Sequence, residues 1–148
     1  MSVLVAARTY AYYQMNNGVS ADKRTYDVVA TTADQLYLGY NSEVLMPRVV
    51  QAQQATYGYM VTYSNTPVIT PYFGHSDGRT RNWTEVWGGT QKAWLQSVEA
   101  TYDAGLSMFG HGVGMSCNDA AHRADEDAWT YEQILHYYYQ GTRAEKIY

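Results

Sequence analysis

Three glycines fall within five residues in Gly110-His111-Gly112-Val113-Gly114, which runs through Met115 and Ser116 into a helical pattern from Cys117. Glycine suits backbone at positive φ, or backbone that another group must approach closely. Ser116 is placed to cap the following helix, whose first N–H groups then point back toward the loop. The spacing predicts a tight loop that sets His111 against a helix N-terminus, facing a cleft. A glycine-rich connection with an incidental histidine is the plainer alternative, and these residues alone leave both standing.

Around that stretch the pattern predicts one α+β domain over residues 1–148, with short strands, a hairpin and about four helices. The first helix runs from Leu4 to about Asn17, unbroken by Gly or Pro, with Gly18 as its C′ residue. It begins almost at Met1, with no capping residue but Ser2, like the tail of a longer helix. Two strand-like runs follow, Tyr26 to Val29 and Gln35 to Tyr40. Asn41 or Ser42 caps a helix from Glu43 to Ala55, with Pro47 near its start and Gly58 closing it. Tyr59 to Tyr63, Ser64-Asn65 and Thr66 to Thr70 read as a hairpin whose prolines, Pro67 and Pro71, put its second strand at an edge or bulge. Trp83, Trp87 and Trp94 surround Gly88-Gly89 without a clear period, and Leu95 to Val98 reads as a strand. A helix from Ser116 to about Ala124 precedes a last one, opened by the capping box of Thr130 and Gln133 and ended by Gly141.

Ten basic and fourteen acidic side chains give a net charge of −4, which argues against nucleic-acid binding by the chain as a whole. No basic run points to a membrane surface, and no apolar stretch approaches the ~20 residues of a spanning helix. The single Cys117 excludes an internal disulfide framework and a multi-cysteine metal site. The first eight residues lack the features of a signal peptide, so taken literally the chain is intracellular unless a leader is removed from a longer precursor. Sixteen tyrosines beside two phenylalanines suit half-wet surfaces, either sheet faces or platforms for sugar rings and bases.

The chemistry-bearing residues gather in two loops. His75 with Ser76, and His111 with Ser116, would line one polar pocket for polyhydroxylated or anionic ligands if the loops converge. A Ser/His nucleophilic pair lacks a G-x-S-x-G elbow and an identifiable orienting carboxylate. A Cys117–His111 pair competes with a buried structural cysteine. A metal held by His75, His111 and a carboxylate lacks clustered ligand spacing, so no metal or other cofactor is expected. His122 and His136 read as ordinary helix residues. Glycosidic chemistry needs a carboxylic acid of raised pKa, and Glu85 is the first candidate, ahead of Glu99 and Asp103, against an ordinary solvated glutamate.

Ala6-Ala7-Arg8-Thr9-Tyr10-Ala11, Tyr26-Asp27-Val28, the helix through Ala52–Thr56, Phe73-Gly74-His75-Ser76 to Thr80, Val86-Trp87-Gly88-Gly89, the Gly110–Ser116 block and Tyr131 to Thr142 together resemble the stage II sporulation protein D (SpoIID) family. The resemblance runs in order over nearly the whole chain. It implies action on bacterial peptidoglycan, outside the cytoplasm or facing the wall. The family includes lytic transglycosylases of peptide-free glycan strands and amidase enhancers of the LytB type. Its catalytic glutamate precedes the helix that contains Arg8, a position without a counterpart here. The implied protein therefore binds glycan strands, with Glu85 as a replacement acid if it cleaves them. A non-catalytic wall-binding or amidase-enhancing module is the alternative, and a Ser/Cys–His hydrolase ranks below both. Val28, Val29, Ala33 and Asp34 stand where some members carry zinc ligands, and Cys117 stands where glutamine is usual. The resemblance puts Arg8, His75, Ser76, Thr80, His111, Gly112 and Ser116 on the glycan. Apolar surface left by a missing helix half would favour self-association.

Overall fold

Helix α1, Ser2–Asn17, turns Val5, Ala6 and Thr9 inward, all at 0% exposure, on the one-turn spacing of a buried helical stripe. These belong to a computed structural model that describes residues 1–18, 25–37 and 39–148. Thr9 ties the helix to the sheet: its hydroxyl donates to the Val5 carbonyl (2.6 Å) and accepts the Val61 N–H (2.9 Å). From the other side, the Thr70 hydroxyl donates to the Ala6 carbonyl at 2.8 Å.

Beyond α1 come α2 (Ser42–Leu45), α3 (Pro47–Ala55), β1 (Tyr59–Tyr63), β2 (Thr66–Pro67), β3 (Tyr72–Phe73) and α4 (Trp83–Trp87). A 3₁₀ turn at Thr101–Asp103 precedes β4 (Met115–Ser116), α5 (Cys117–Asp125), α6 (Tyr131–Tyr138) and β5 (Arg143–Lys146). One antiparallel sheet has the order β2-β1-β5, with Tyr59 opposite Lys146 and Thr62 opposite Pro67. The other is a parallel pair, Tyr72 opposite Met115 and Phe73 opposite Ser116. Val61, Leu95, Val113, Met115, Leu135 and Tyr138 fill the core between them. The class is α+β.

The first strand and the turn of the hairpin form as read, but its second strand is shorter, Thr66–Pro67 where Thr66 to Thr70 was expected. Ser64 and Asn65 take φ of 51° and 61°, the double left-handed geometry that matches strand twist, and Pro67 sits on the edge strand. Ser116 caps α5 by accepting the Asp119 N–H (3.4 Å), and Thr130 and Gln133 form their capping box at 3.3 and 2.8 Å. Arg123, nearly buried on α5, bonds Asp119 at 2.5 Å and lies over the rings of Trp129 and Tyr137, fastening α5 to α6.

Other expectations fail for identifiable reasons. The helix read over Glu43–Ala55 is broken at Met46 (φ −127°, ψ 61°), because the ring of Pro47 drives the residue before it out of the helical region. Gly18 has φ −75°, so it is not a left-handed C′ residue. The runs Tyr26 to Val29 and Gln35 to Tyr40 are not strands among the described residues, and Leu38 lies outside them. Side chains hold this segment instead: Asp34 accepts the Val29 N–H (2.8 Å), and the Gln35 amide donates to the Ala7 carbonyl (3.0 Å). Leu95 to Val98 has no ladder; the Asn82 side-chain Oδ1 and the Thr80 hydroxyl accept the Ser97 and Val98 N–H groups. Helix α4 and strand β5 were not anticipated, and among the described residues there are six α-helices where about four were expected.

Candidate functional site

The short parallel pair β3–β4 brings the two glycine–histidine loops side by side, one leaving Phe73 and the other entering Met115. A second bridge pairs His75 with Phe109, through N–H to carbonyl bonds of 3.4 and 2.9 Å. The loops converge, but the polar groups between them face inward. Asp103, at 0% exposure, takes the Ser76 N–H (2.7 Å), the Ser76 hydroxyl (2.8 Å), the Ser116 hydroxyl (2.6 Å) and the Asn118 amide (2.9 Å). Burial works to raise the pKa of that carboxyl. Donation from Ser116, Asn118 and Ser76 outweighs burial and holds it below the ordinary value.

Ser76 and Ser116 are thus fully buried, and their hydroxyls donate hydrogen bonds to a carboxylate. The His111 Nδ1 accepts the Val113 N–H at 3.1 Å, which fixes a neutral ring with its proton on the other nitrogen. Among the described residues no serine hydroxyl is hydrogen-bonded to a histidine ring. Burial, with the Asp103 charge beside it, pushes the Cys117 thiol up to about 11, opposite to what a nucleophilic cysteine requires.

Several other residues singled out from the sequence also serve the scaffold. Thr80 is fully buried and exchanges bonds of 2.8 Å with Val98 in both directions. The buried Gly112 offers its carbonyl to the Arg81 N–H at 2.7 Å. Arg8 reaches the carbonyls of Thr56 (2.6 Å) and Tyr59 (2.9 Å), where α3 ends and β1 begins. The His75 ring stacks on Phe109 at 5.6 Å, and its buried Nδ1 has no hydrogen-bond partner among the described residues. Glu85 has the wrong environment for a general acid. The Arg79 guanidinium (3.0 Å), together with the Asn82 N–H (3.0 Å) in the cap of α4, lowers its carboxyl to about 2. A proton donor needs the opposite shift.

His111 does reach a cleft. A hollow of about 330 Å³ opens between α1, the 32–34 turn, β3 and α4, walled by Tyr10, Asp34, Tyr72, Trp83, Trp87 and His111. Trp87 lies 4.5 Å from Trp83 and 5.0 Å from His111, ring centre to ring centre, so the three rings make a continuous wall. Opposite them the Gln14 amide donates to the Tyr10 hydroxyl (3.0 Å), which donates to Asp34 Oδ1 (3.0 Å). The Tyr72 hydroxyl, pushed up to about 12 chiefly by burial, donates to Gln35 at 2.8 Å. Apolar faces beside a short row of fixed polar groups form the recognition surface of a ligand that is itself ringed and hydroxylated. The sequence did hold two signals for this wall: Tyr10 and Gln14, like Trp83 and Trp87, are four residues apart and so share a helix face.

Burial lowers the pKa of His111 below its ordinary 6.5, against a hydrogen bond with the Tyr72 backbone that raises it. Between the two values the unfolded chain binds the proton and the folded protein does not, so stability falls as pH drops through that window. Urea midpoints measured at stepwise lower pH should therefore decline from about 6.5, and His111→Gln should flatten that part of the profile. A decline of the same size in the variant would mean that another group is responsible.

Among the described residues no three or more His, Cys, Asp or Glu side chains are grouped to hold a metal ion, and no helix is long and apolar enough to cross a membrane. Comparison with known families gives one finding. Residues 2–63, from α1 through β1, match the family model SpoIID, described as Stage II sporulation protein. No curated protein matches the chain. The chain is thus SpoIID-like over that span, and the match points to a role related to sporulation and the cell wall. The matched span supplies Tyr10, Gln14 and Asp34 of the cleft; Tyr72, Trp83, Trp87 and His111 lie beyond it.

Proposed function

We propose that the protein binds peptide-free glycan strands of peptidoglycan in the cleft of Tyr10, Asp34, Tyr72, Trp83, Trp87 and His111. The supporting observation is the aromatic wall set against fixed polar groups. Indole and phenol faces cover the C–H faces of sugar rings, while Asp34 and Gln14 meet hydroxyls and amides at the ring edges. The family match, with its link to sporulation and the wall, favours this polymer over other glycans. The low pKa of Glu85 favours binding without cleavage, as in a wall-binding module working beside an amidase.

Co-sedimentation with denuded strands tests the proposal. Trp87→Ala should weaken binding about tenfold, because one stacked ring contributes on the order of 1 kcal/mol beyond its buried area. Val44→Ala, 78% exposed on α2 and away from the cleft, should leave it unchanged. Equal binding by Trp87→Ala and the unaltered protein would remove the cleft from the account. Mass spectrometry of the same strands should show no new anhydro-sugar ends. Such ends, if formed and then lost in Asp34→Asn, would establish cleavage with the cleft carboxylate as acid.

A further inference from the structure

Asp34 is placed for more than general polarity. Its Oδ1 accepts the Tyr10 hydroxyl at 3.0 Å and its Oδ2 accepts the Val29 N–H at 2.8 Å. A carboxylate offers about four acceptor sites, so about two remain for the cleft that it lines. The Gln14 amide steadies Tyr10, and the turn at Thr31–Asp34 steadies the backbone, so the carboxylate is oriented before any ligand arrives. Among the described residues it has no ion-pair partner. Across the cleft stand the faces of Trp83 and Trp87, whose ring quadrupoles attract cations. Trp83 already holds one, the Lys92 ammonium, 5.5 Å from its ring centre.

An oriented carboxylate and aromatic faces around one hollow are the recognition set for a primary ammonium on a ringed ligand. We infer that Asp34 makes the cleft selective for a hexosamine whose amino group is free and protonated, a de-N-acetylated glucosamine unit within the strand. The inference rests on the cleft being a glycan site. An N-acetyl group at the same position carries no charge and adds bulk against the carboxylate. The lactyl carboxylate of a muramic unit would meet a like charge there. Asp34 therefore also sets the register of an alternating strand, seating a glucosamine rather than a muramic unit beside itself.

Calorimetric titration of the whole protein with fully deacetylated and fully acetylated chitotetraose, in mildly acidic buffer, tests this. The deacetylated sugar should bind about tenfold tighter, the scale of one charge-assisted contact. Asp34→Asn removes the charge while keeping the side-chain shape; it should abolish the preference, bringing the affinity for the deacetylated sugar down to that for the acetylated one. Equal affinities in the unaltered protein, or a preference that survives Asp34→Asn, would overturn the inference and leave the glycan cleft in place. Failure of both sugars and of denuded wall strands to bind would overturn the cleft itself. Paired runs with deacetylated wall strands and with chitosan distinguish the two sources of the amino sugar.

Discussion

Asp103→Ala should cost about 3–5 kcal/mol of unfolding free energy, because it strands several buried neutral hydrogen-bond donors at once. The side chain is fully buried and is the common acceptor for both loops. Without it the Ser76 and Ser116 hydroxyls, the Ser76 N–H and the Asn118 amide all face a void, and each unsatisfied buried donor costs about 1 kcal/mol or more. Asp103→Asn should recover part of the loss, since its oxygen can still serve the two serines. Urea unfolding of the three proteins measures this. A loss under about 1 kcal/mol for Asp103→Ala would mean that the loops are held by other contacts. The network also gives acid sensitivity. The carboxyl's pKa is lowered on folding, so its contribution is present above the ordinary 3.8 and is lost as pH falls through the folded value.

The second large effect is expected at Gly114, whose φ is +79° and where an added Cβ would lie 2.1 Å from the Pro71 carbonyl oxygen. That oxygen accepts both the Met115 N–H (3.2 Å) and the Tyr139 hydroxyl (2.8 Å), so it cannot retreat without breaking the start of the β3–β4 pair. Gly114→Ala should therefore destabilise by about 3–5 kcal/mol, backbone strain and displaced hydrogen bonds together. Gly105→Ala is the control: φ is +86°, but nothing lies within 4 Å of the new Cβ. It should cost about 1 kcal/mol from strain alone. Equal losses at the two positions would show that conformation, and not the close approach to Pro71, dictates glycine at 114.

What could be read from the sequence was local. The Ser64-Asn65 turn and the Thr130–Gln133 box are decided within four residues, and both form. Strand β5, Arg143–Lys146, is polar and carries no strand pattern of its own; it exists because β1 supplies a partner and Thr62 bonds Glu145. All three glycines of the Gly110–Ser116 loop have positive φ, as their spacing suggested. Whether Ser76 and Ser116 face solvent or the interior depends on Asp103, which arrives from a turn 13 residues before Ser116. The cleft was hidden for the same reason. Its walls come from Tyr10, Asp34, Tyr72, Trp87 and His111, which only the packing of α1 and α4 on the loops brings together.

Binding in the aromatic cleft is tested most directly by nuclear magnetic resonance of the labelled protein during titration with short denuded strand fragments. The account predicts saturable shifts in the Trp83 and Trp87 indole N–H signals and in the amides of Asp34 and His111, with α2 and α3 unmoved. Shifts confined to α2 and α3, where Val44 and Leu45 are exposed, or no saturable shift at all, would contradict it.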